Sequence, residues 1–170
     1  MAVLEVLKYP HPLLKRRSEK VERIDGETRK WIEDMTETMY HANGVGLAAC
    51  QIGIPRRIIV LDVSPIDSEQ DLLVMVNPEV ISEEGEIDHE EGCLSVPDFR
   101  SDVKRSASLI VEALDREGKP LKIEAEEHLA IVLQHEIDHL NGILFIDRIS
   151  ALKRELYKRH IKKQLKQDEK

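Results

Sequence analysis

Six consecutive residues, Gln134-His135-Glu136-Ile137-Asp138-His139, carry the side chains best suited to chemistry in this 170-residue chain. On a helix, His135 and His139 stand four apart and project from one face, with Cβ atoms roughly 6 Å from each other. Two imidazoles so placed can converge on one metal ion. Glu136 is the next residue round the helix, beside such an ion rather than on it. This is the H-E-x-x-H arrangement, in which the glutamate acts as base toward a water that the ion makes acidic. Three fixed letters occur by chance in many chains, so the motif carries little by itself. The flanking residues add to it: Leu129, Ala130, Ile131, Val132, Leu133, Ile137 and Leu140 are apolar. The histidines should therefore be at least partly buried, and buried polar groups need partners.

A catalytic metal site usually has three protein ligands and one open position. Cys93, Cys50, a carboxylate or another histidine could supply the third. His128 shares the face of His135 but lies seven residues back, about 10 Å along the axis. That is too far to share an ion, and a pocket edge or the surface suits it. His11, His41, His89 and His160 have no local context, and surface roles are the default. Cys93 lies in Glu91-Gly92-Cys93-Leu94-Ser95-Val96-Pro97, where Gly92 lets the backbone turn sharply and Pro97 ends the stretch. Spacing alone leaves Cys93 balanced between a ligand and an inert buried thiol.

The elements that must position these groups can be read in outline. Residues 1–24 are an extended start, with a short turn or helix at His11–Lys15. Asp25 caps a helix running to about Ala42, with Trp31, Met35 and Met39 on its apolar side, and Asn43-Gly44 ends it. Gly44–Gln51 is rich in small residues, which let a backbone approach something closely. It lacks the Gly-Lys-Ser/Thr of a phosphate loop. Arg57–Val63 and Leu72–Val76 read as strands joined by a polar loop, Ser64–Asp71. Asn77-Pro78 reads as a turn before a strand near Glu79–Glu83. The acidic residues 83–91 read as a solvated loop and edge. Lys104–Leu114 and Lys119–Glu124 flank a hairpin turn at Asp115–Gly118. The helix carrying the histidines starts near Ala125 and stops at Asn141-Gly142. From Ser150, an N-cap, Leu152, Leu156, Ile161 and Leu165 suggest an amphipathic helix with a basic outer face.

The bulk numbers suit one domain, residues 1–170, with a core of about 1–148 and a C-terminal helix of about 150–167. Hydrophobic residues make up 41% and charged residues 34%, as in a soluble globular protein. No apolar run nears the ~20 residues of a membrane helix, and the N-terminus has neither signal-peptide nor transit-peptide character. A cytoplasmic location and no membrane partner are expected. With two cysteines in a reducing compartment, no disulfide is expected. A net charge of −8 argues against general or sequence-specific nucleic-acid binding. The exception is residues 151–170, with eight Lys/Arg against three Asp/Glu.

Three stretches together resemble the signature motifs of the peptide deformylase family, in the family's order. Gly44–Gln51 is similar to G-x-G-x-A-A-x-Q, Glu91–Ser95 to E-G-C-x-S, and Gln134–His139 contains H-E-x-D-H, with no fixed letter departing. The resemblance covers about residues 44–142, and the length suits the compact bacterial type. It implies an α+β fold with antiparallel β-sheets around a central metal-binding helix, plus the C-terminal helix. It implies a divalent metal held by Cys93, His135 and His139, with Fe²⁺ expected and Zn²⁺, Ni²⁺ or Co²⁺ as substitutes. The activity implied is hydrolytic removal of the formyl group from the N-terminal formyl-methionine of newly made proteins, releasing formate. N-formylmethionyl nascent polypeptides would then be its partners.

By the same resemblance Glu136 is the general base, and the Gln51 amide and Leu94 backbone N–H meet the developing oxyanion. Gly46 lets the substrate backbone pair closely, and Val45, Ile131 and Val132 are candidates for the methionine pocket. Ile131 and Val132 precede His135 by four and three residues, on the same helix face. Asp138 is expected to orient a ligand or to bond an arginine such as Arg105. A thiolate ligand predicts oxygen sensitivity, most of all with Fe²⁺. The basic tail suggests a contact with the ribosome, whose RNA is anionic. Two other readings stay open: a metallopeptidase or amidase built on the same helix, and a non-catalytic metal module that docks through its tail.

Overall fold

The computed structural model describes residues 2–65 and 67–168, leaving Met1, Ile66, Glu169 and Lys170 outside it. The first helix, α1 (Gly26–His41), starts where Asp25 accepts a hydrogen bond from the Thr28 N–H at 3.0 Å. It buries Ile32, Met35 and Met39, spaced to share one face. It ends at Asn43, whose φ of 56° is the left-handed turn anticipated there. The Pro12–Lys15 turn and the helix from Ser150 also form as expected, Ser150 Oγ accepting from Lys153 N–H.

Seven strands follow: β1 (Gly46–Ala48), β2 (Ile58–Leu61), β3 (Leu73–Glu84), β4 (Ile87–Cys93), β5 (Val96–Arg105), β6 (Ser108–Leu114) and β7 (Pro120–Glu126). Five make one antiparallel sheet in the order β1-β2-β3-β6-β7, and β4 pairs with β5 in a second sheet. The helix of the motif, α2 (Glu127–Leu140), lies on one face of the large sheet and α1 lies on the other. The burial of β2 follows from this layering. Ile58 and Val60 pack with Met35 and Met39 of α1, while Ile59 and Leu61 pack with Ala130, Leu133 and Ile137 of α2. All four residues are buried because their alternating side chains meet a helix on each side. The fold is thus α+β, with antiparallel sheets around the helix that bears both histidines.

Four local expectations are corrected. Asn77-Pro78 is not a turn: β3 runs through it, with a register shift between Val76 and Glu79. Asn77 takes φ 54°, its amide exchanges hydrogen bonds with the Val21 backbone at 2.9 Å, and Pro78 has no N–H for the ladder. The result is a bulge rather than a reversal. The acidic stretch 83–91 is not a solvated loop, since Gly85 (φ 71°) turns the chain and 87–91 enters β4. The strand expected over Lys104–Leu114 is two strands. The Gln134 amide accepts from Ser106 N–H and donates to Ser106 C=O, both at 2.9 Å, holding the backbone at the break.

The fourth correction concerns the last helix, α3 (Ala151–Asp168). Of the expected stripe only Ile161 is buried, together with Tyr157, whereas Leu152 is 71% and Leu156 55% exposed. Five residues separate Leu156 from Ile161, a rotation of roughly 140° past a full turn at 3.6 residues per turn. Tyr157 and Ile161 instead join Phe145, Val96 and Leu14 in a third apolar cluster. No described helix is long and apolar enough to cross a membrane.

Candidate active site

Helix α2 brings His135 and Glu136 to one cavity wall with His139 buried just behind it, and β4 delivers Cys93 to the same cavity. Cys93 Sγ lies 3.3 Å from His139 Nε2. The ligand atoms of Cys93, His135 and His139 all fall within 4.8 Å of one another, and they form the one such set among the described residues. The imidazole rings stand edge to face with centroids 5.0 Å apart. Cys50 is no competitor for the third position. Its Sγ donates to the His139 carbonyl at 3.4 Å, and burial pushes its thiol up to about 12.

The donor set fits a metal ion. A soft thiolate and two imidazoles are ligands that first-row transition ions favour. His139 is 1% exposed, and its second ring nitrogen, Nδ1, has no partner in the described structure. Burial disfavours a charge on His135, but the Cys93 sulfur and the Glu91 carboxylate outweigh it and hold its pKa well above the ordinary value.

A buried ionic network stands behind His135. Glu91 Oε1 lies 2.9 Å from His135 Nδ1. Arg105 clamps Glu91 with two bonds of 2.7 Å and reaches Asp138 at 2.6 Å. Arg148 donates twice to Asp138, at 2.5 and 2.8 Å. Burial alone would raise the Glu91 carboxyl, yet Arg105 and His135 hold it down at about 2. The expected Asp138–Arg105 bond is present, but it reaches His135 only through Glu91. Glu91, the residue touching a candidate ligand, was read as part of a solvated acidic run and as the first letter of the Glu91–Ser95 motif, with no role of its own. Its place two residues before Cys93, read as a strand, was the available signal. Arg148 carried no signal, since 43 residues separate it from Arg105.

Glu136 is 4% exposed, and its Oε1 has no partner among the described residues. Burial pushes its carboxyl up to about 7. A Cβ at Gly46 would sit 2.5 Å from Glu136 Oε2, so only glycine lets β1 run this close to the carboxylate. Gln51, in the 3₁₀ turn after β1, accepts from Ala48 N–H at 2.9 Å and donates to Ser95 Oγ at 3.0 Å. Its amide nitrogen lies 3.7 Å from Cys93 Sγ. Val45, Gly46, Leu94, Ile131 and Val132 all line the same cavity of about 620 Å³. Sequence reasoning passed over Phe99 and Arg100, which line it too.

A buried carboxylate beside a Cys-His-His set, at the foot of a cleft between a helix and a sheet edge, defines a metal-dependent hydrolase. Residues 3–155 match the family model described as polypeptide deformylase. The peptide deformylase of Thermodesulfovibrio yellowstonii is 54% identical over 162 residues, covering 95% of this chain and 98% of that protein. That of Rhizobium meliloti is 51% identical over 168 residues, covering 98% and 96%. Among solved structures, a peptide deformylase from Legionella pneumophila superposes with TM-score 0.89 at 45% identity, over 99% of both chains. The Ehrlichia chaffeensis enzyme in complex with actinonin gives 0.91 at 37%, over 96% of this chain and 98% of the other. This chain belongs to the polypeptide deformylase family.

Proposed function

We propose that the chain removes the formyl group from N-terminal formyl-methionine of nascent polypeptides, with Glu136 as general base and Cys93, His135 and His139 holding the metal. The observation carrying this reading is the unpartnered, buried Glu136 beside the three converging ligand atoms. An ion held there, Fe²⁺ foremost and Zn²⁺, Ni²⁺ or Co²⁺ as substitutes, would supply a Lewis acid that acidifies water and polarises the formyl carbonyl. A carboxyl at about 7 suits a group that takes a proton from water and returns it to the leaving nitrogen near neutral pH. The Gln51 amide nitrogen carries two hydrogens. One goes to Ser95 Oγ at 3.0 Å and the other makes only a long 3.7 Å contact with Cys93 Sγ, which it can exchange for the oxygen that gains charge, alongside the Leu94 N–H. Strand β1 has a sheet partner on one side only, so its other edge can pair with substrate backbone at Gly46. Val45, Ile131 and Val132 receive the methionine side chain. Glu91, held by Arg105 and through it by Asp138, fixes the ring of His135.

Residues 1–170 serve as one catalytic unit in this reading, working in the cytoplasm on emerging chains. Helix α3 meets the ribosome through its basic face, supported by its seven Lys/Arg and the exposed Leu152 and Leu156. Replacing Arg159, Lys162, Lys163 and Lys166 by Gln should abolish co-sedimentation with ribosomes; unchanged co-sedimentation removes that contact. The central test pairs metal analysis of anaerobically purified protein with formate release from a formyl-Met peptide. Stoichiometric metal and formate are expected, with an acetyl-Met control left intact. Equal turnover of the acetyl peptide would favour a general amidase instead.

A further inference from the structure

The helix face that bears the site continues beyond Val132. His128, Ile131, Val132 and His135 fall at i, i+3, i+4 and i+7, one stripe of α2, and all four line the cavity. Across the cavity β4 presents His89, whose ring centroid lies 5.9 Å from that of His128, with the planes tilted by 31°. Both rings are exposed and neither belongs to the Cys-His-His set. The cavity therefore passes from the catalytic centre along Val45, Ile131 and Val132 to a mouth walled by two imidazoles.

The reach of a substrate side chain matches this layout. Seven residues of helix place His128 about 10 Å from His135. From a formyl carbon to the end of a methionine-length side chain is roughly 8 Å by ordinary bond lengths. A residue with its formyl group at the centre thus brings its side-chain tip level with the two histidines, where the aliphatic wall ends.

We infer that His89 and His128 are specificity-determining residues that donate hydrogen bonds to a neutral acceptor at the tip of the first side chain, the fitting ligand being methionine sulfoxide. Its carbon stem suits Ile131 and Val132, and its oxygen is a far stronger acceptor than a thioether sulfur. Neutral imidazole always carries an N–H donor. At the same rim Glu90 and Arg100 pair with each other at 2.8 Å and so leave no unpaired charge to favour an ionic tip. The inference rests on the reading of this cavity as the methionine pocket.

The test compares kcat/KM for a formyl-Met peptide and its sulfoxide on the metal-loaded wild type, His89→Leu and His128→Leu. The sulfoxide-to-methionine ratio should fall about three- to tenfold in each variant, the value of one neutral hydrogen bond. His128→Gln, which keeps a donor, should restore part of it. Titration of Met-Ala-Ser and its sulfoxide into the same proteins should show the same loss in relative affinity. A ratio that is unchanged or raised in both leucine variants, with formyl-Met still turned over, overturns this inference alone. A wild type inert on both peptides overturns the deformylase reading and this inference with it.

Discussion

A carboxyl group with one oxygen bare in a buried site, as Glu136 has, is poorly solvated and ready to exchange a proton. Replacing it by Gln keeps the shape and removes the proposed base. Turnover of formyl-Met peptide should fall about 10²–10⁴-fold while metal content, read by elemental analysis, stays at the wild-type level. Gln51→Ala deletes the proposed oxyanion donor and should cost about 10²–10³ in kcat; unchanged turnover would refute the role. Glu91→Gln leaves His135 Nδ1 facing an amide in place of a carboxylate. Metal affinity should drop about 10–100-fold, measured by competition with a chromogenic chelator, and an unaltered affinity would leave the Glu91–Arg105 pair a purely structural device.

Among the elements, β2 and α1 are tied together at one carboxylate. Asp62 follows β2 directly and accepts from Tyr40 Oη at 2.7 Å, Ser64 N–H at 2.9 Å and Asp71 N–H at 3.0 Å. Burial raises its carboxyl, but the bonds from Ser64, Tyr40 and Asp71 prevail and hold it at about 2. An unfolded aspartate titrates near ~3.9. The folded form therefore binds protons less readily. Its contribution to stability is complete above that value and is lost as pH falls toward 2. Asp62→Asn should flatten the fall of the urea midpoint between about pH 4 and 2. A wild-type slope in the variant would show that other carboxylates carry it. The same element view explains α3, where a pattern of leucines was legible but the buried pair was Tyr157 and Ile161. Hydrophobicity alone does not say which of two apolar faces finds a neighbour.

At the scale of the molecule, the candidate site is where the two sheets and α2 meet, so the proposed ligands would also tie layers together. Cys93 comes from the small sheet and the histidines from the helix on the large one. An ion bound only by the folded state adds RT ln(1 + [L]/Kd), about 4 kcal/mol at a thousandfold excess over Kd. Chelation should lower Tm by several degrees, and refilling with Ni²⁺ should restore it, followed by calorimetry. A Tm indifferent to chelator would mean the ligands do not bridge the layers.

The local features of the sequence determined much of this protein. Histidines at four-residue spacing, a glutamate between them, an Asp25 cap and an Asn43 stop are local, and local geometry expresses them directly. Gly44–Gln51 and Glu91–Ser95 were legible through their letters, and β2, β6, β7 and the two halves of β3 through their apolar, β-branched runs, whereas β1 was not read as a strand. What the chain order could not convey was decided by pairing and burial across long separations. The acidic run 87–91 became a strand because β5 offered it a partner. Glu91 left the solvent because Arg105 and His135 were there to receive it. Asn77-Pro78 became a bulge because Val21 bonded its side chain. Each of these depends on a group far away in sequence, and only the tertiary structure supplies the low-dielectric surroundings in which such pairings outweigh exposure to water.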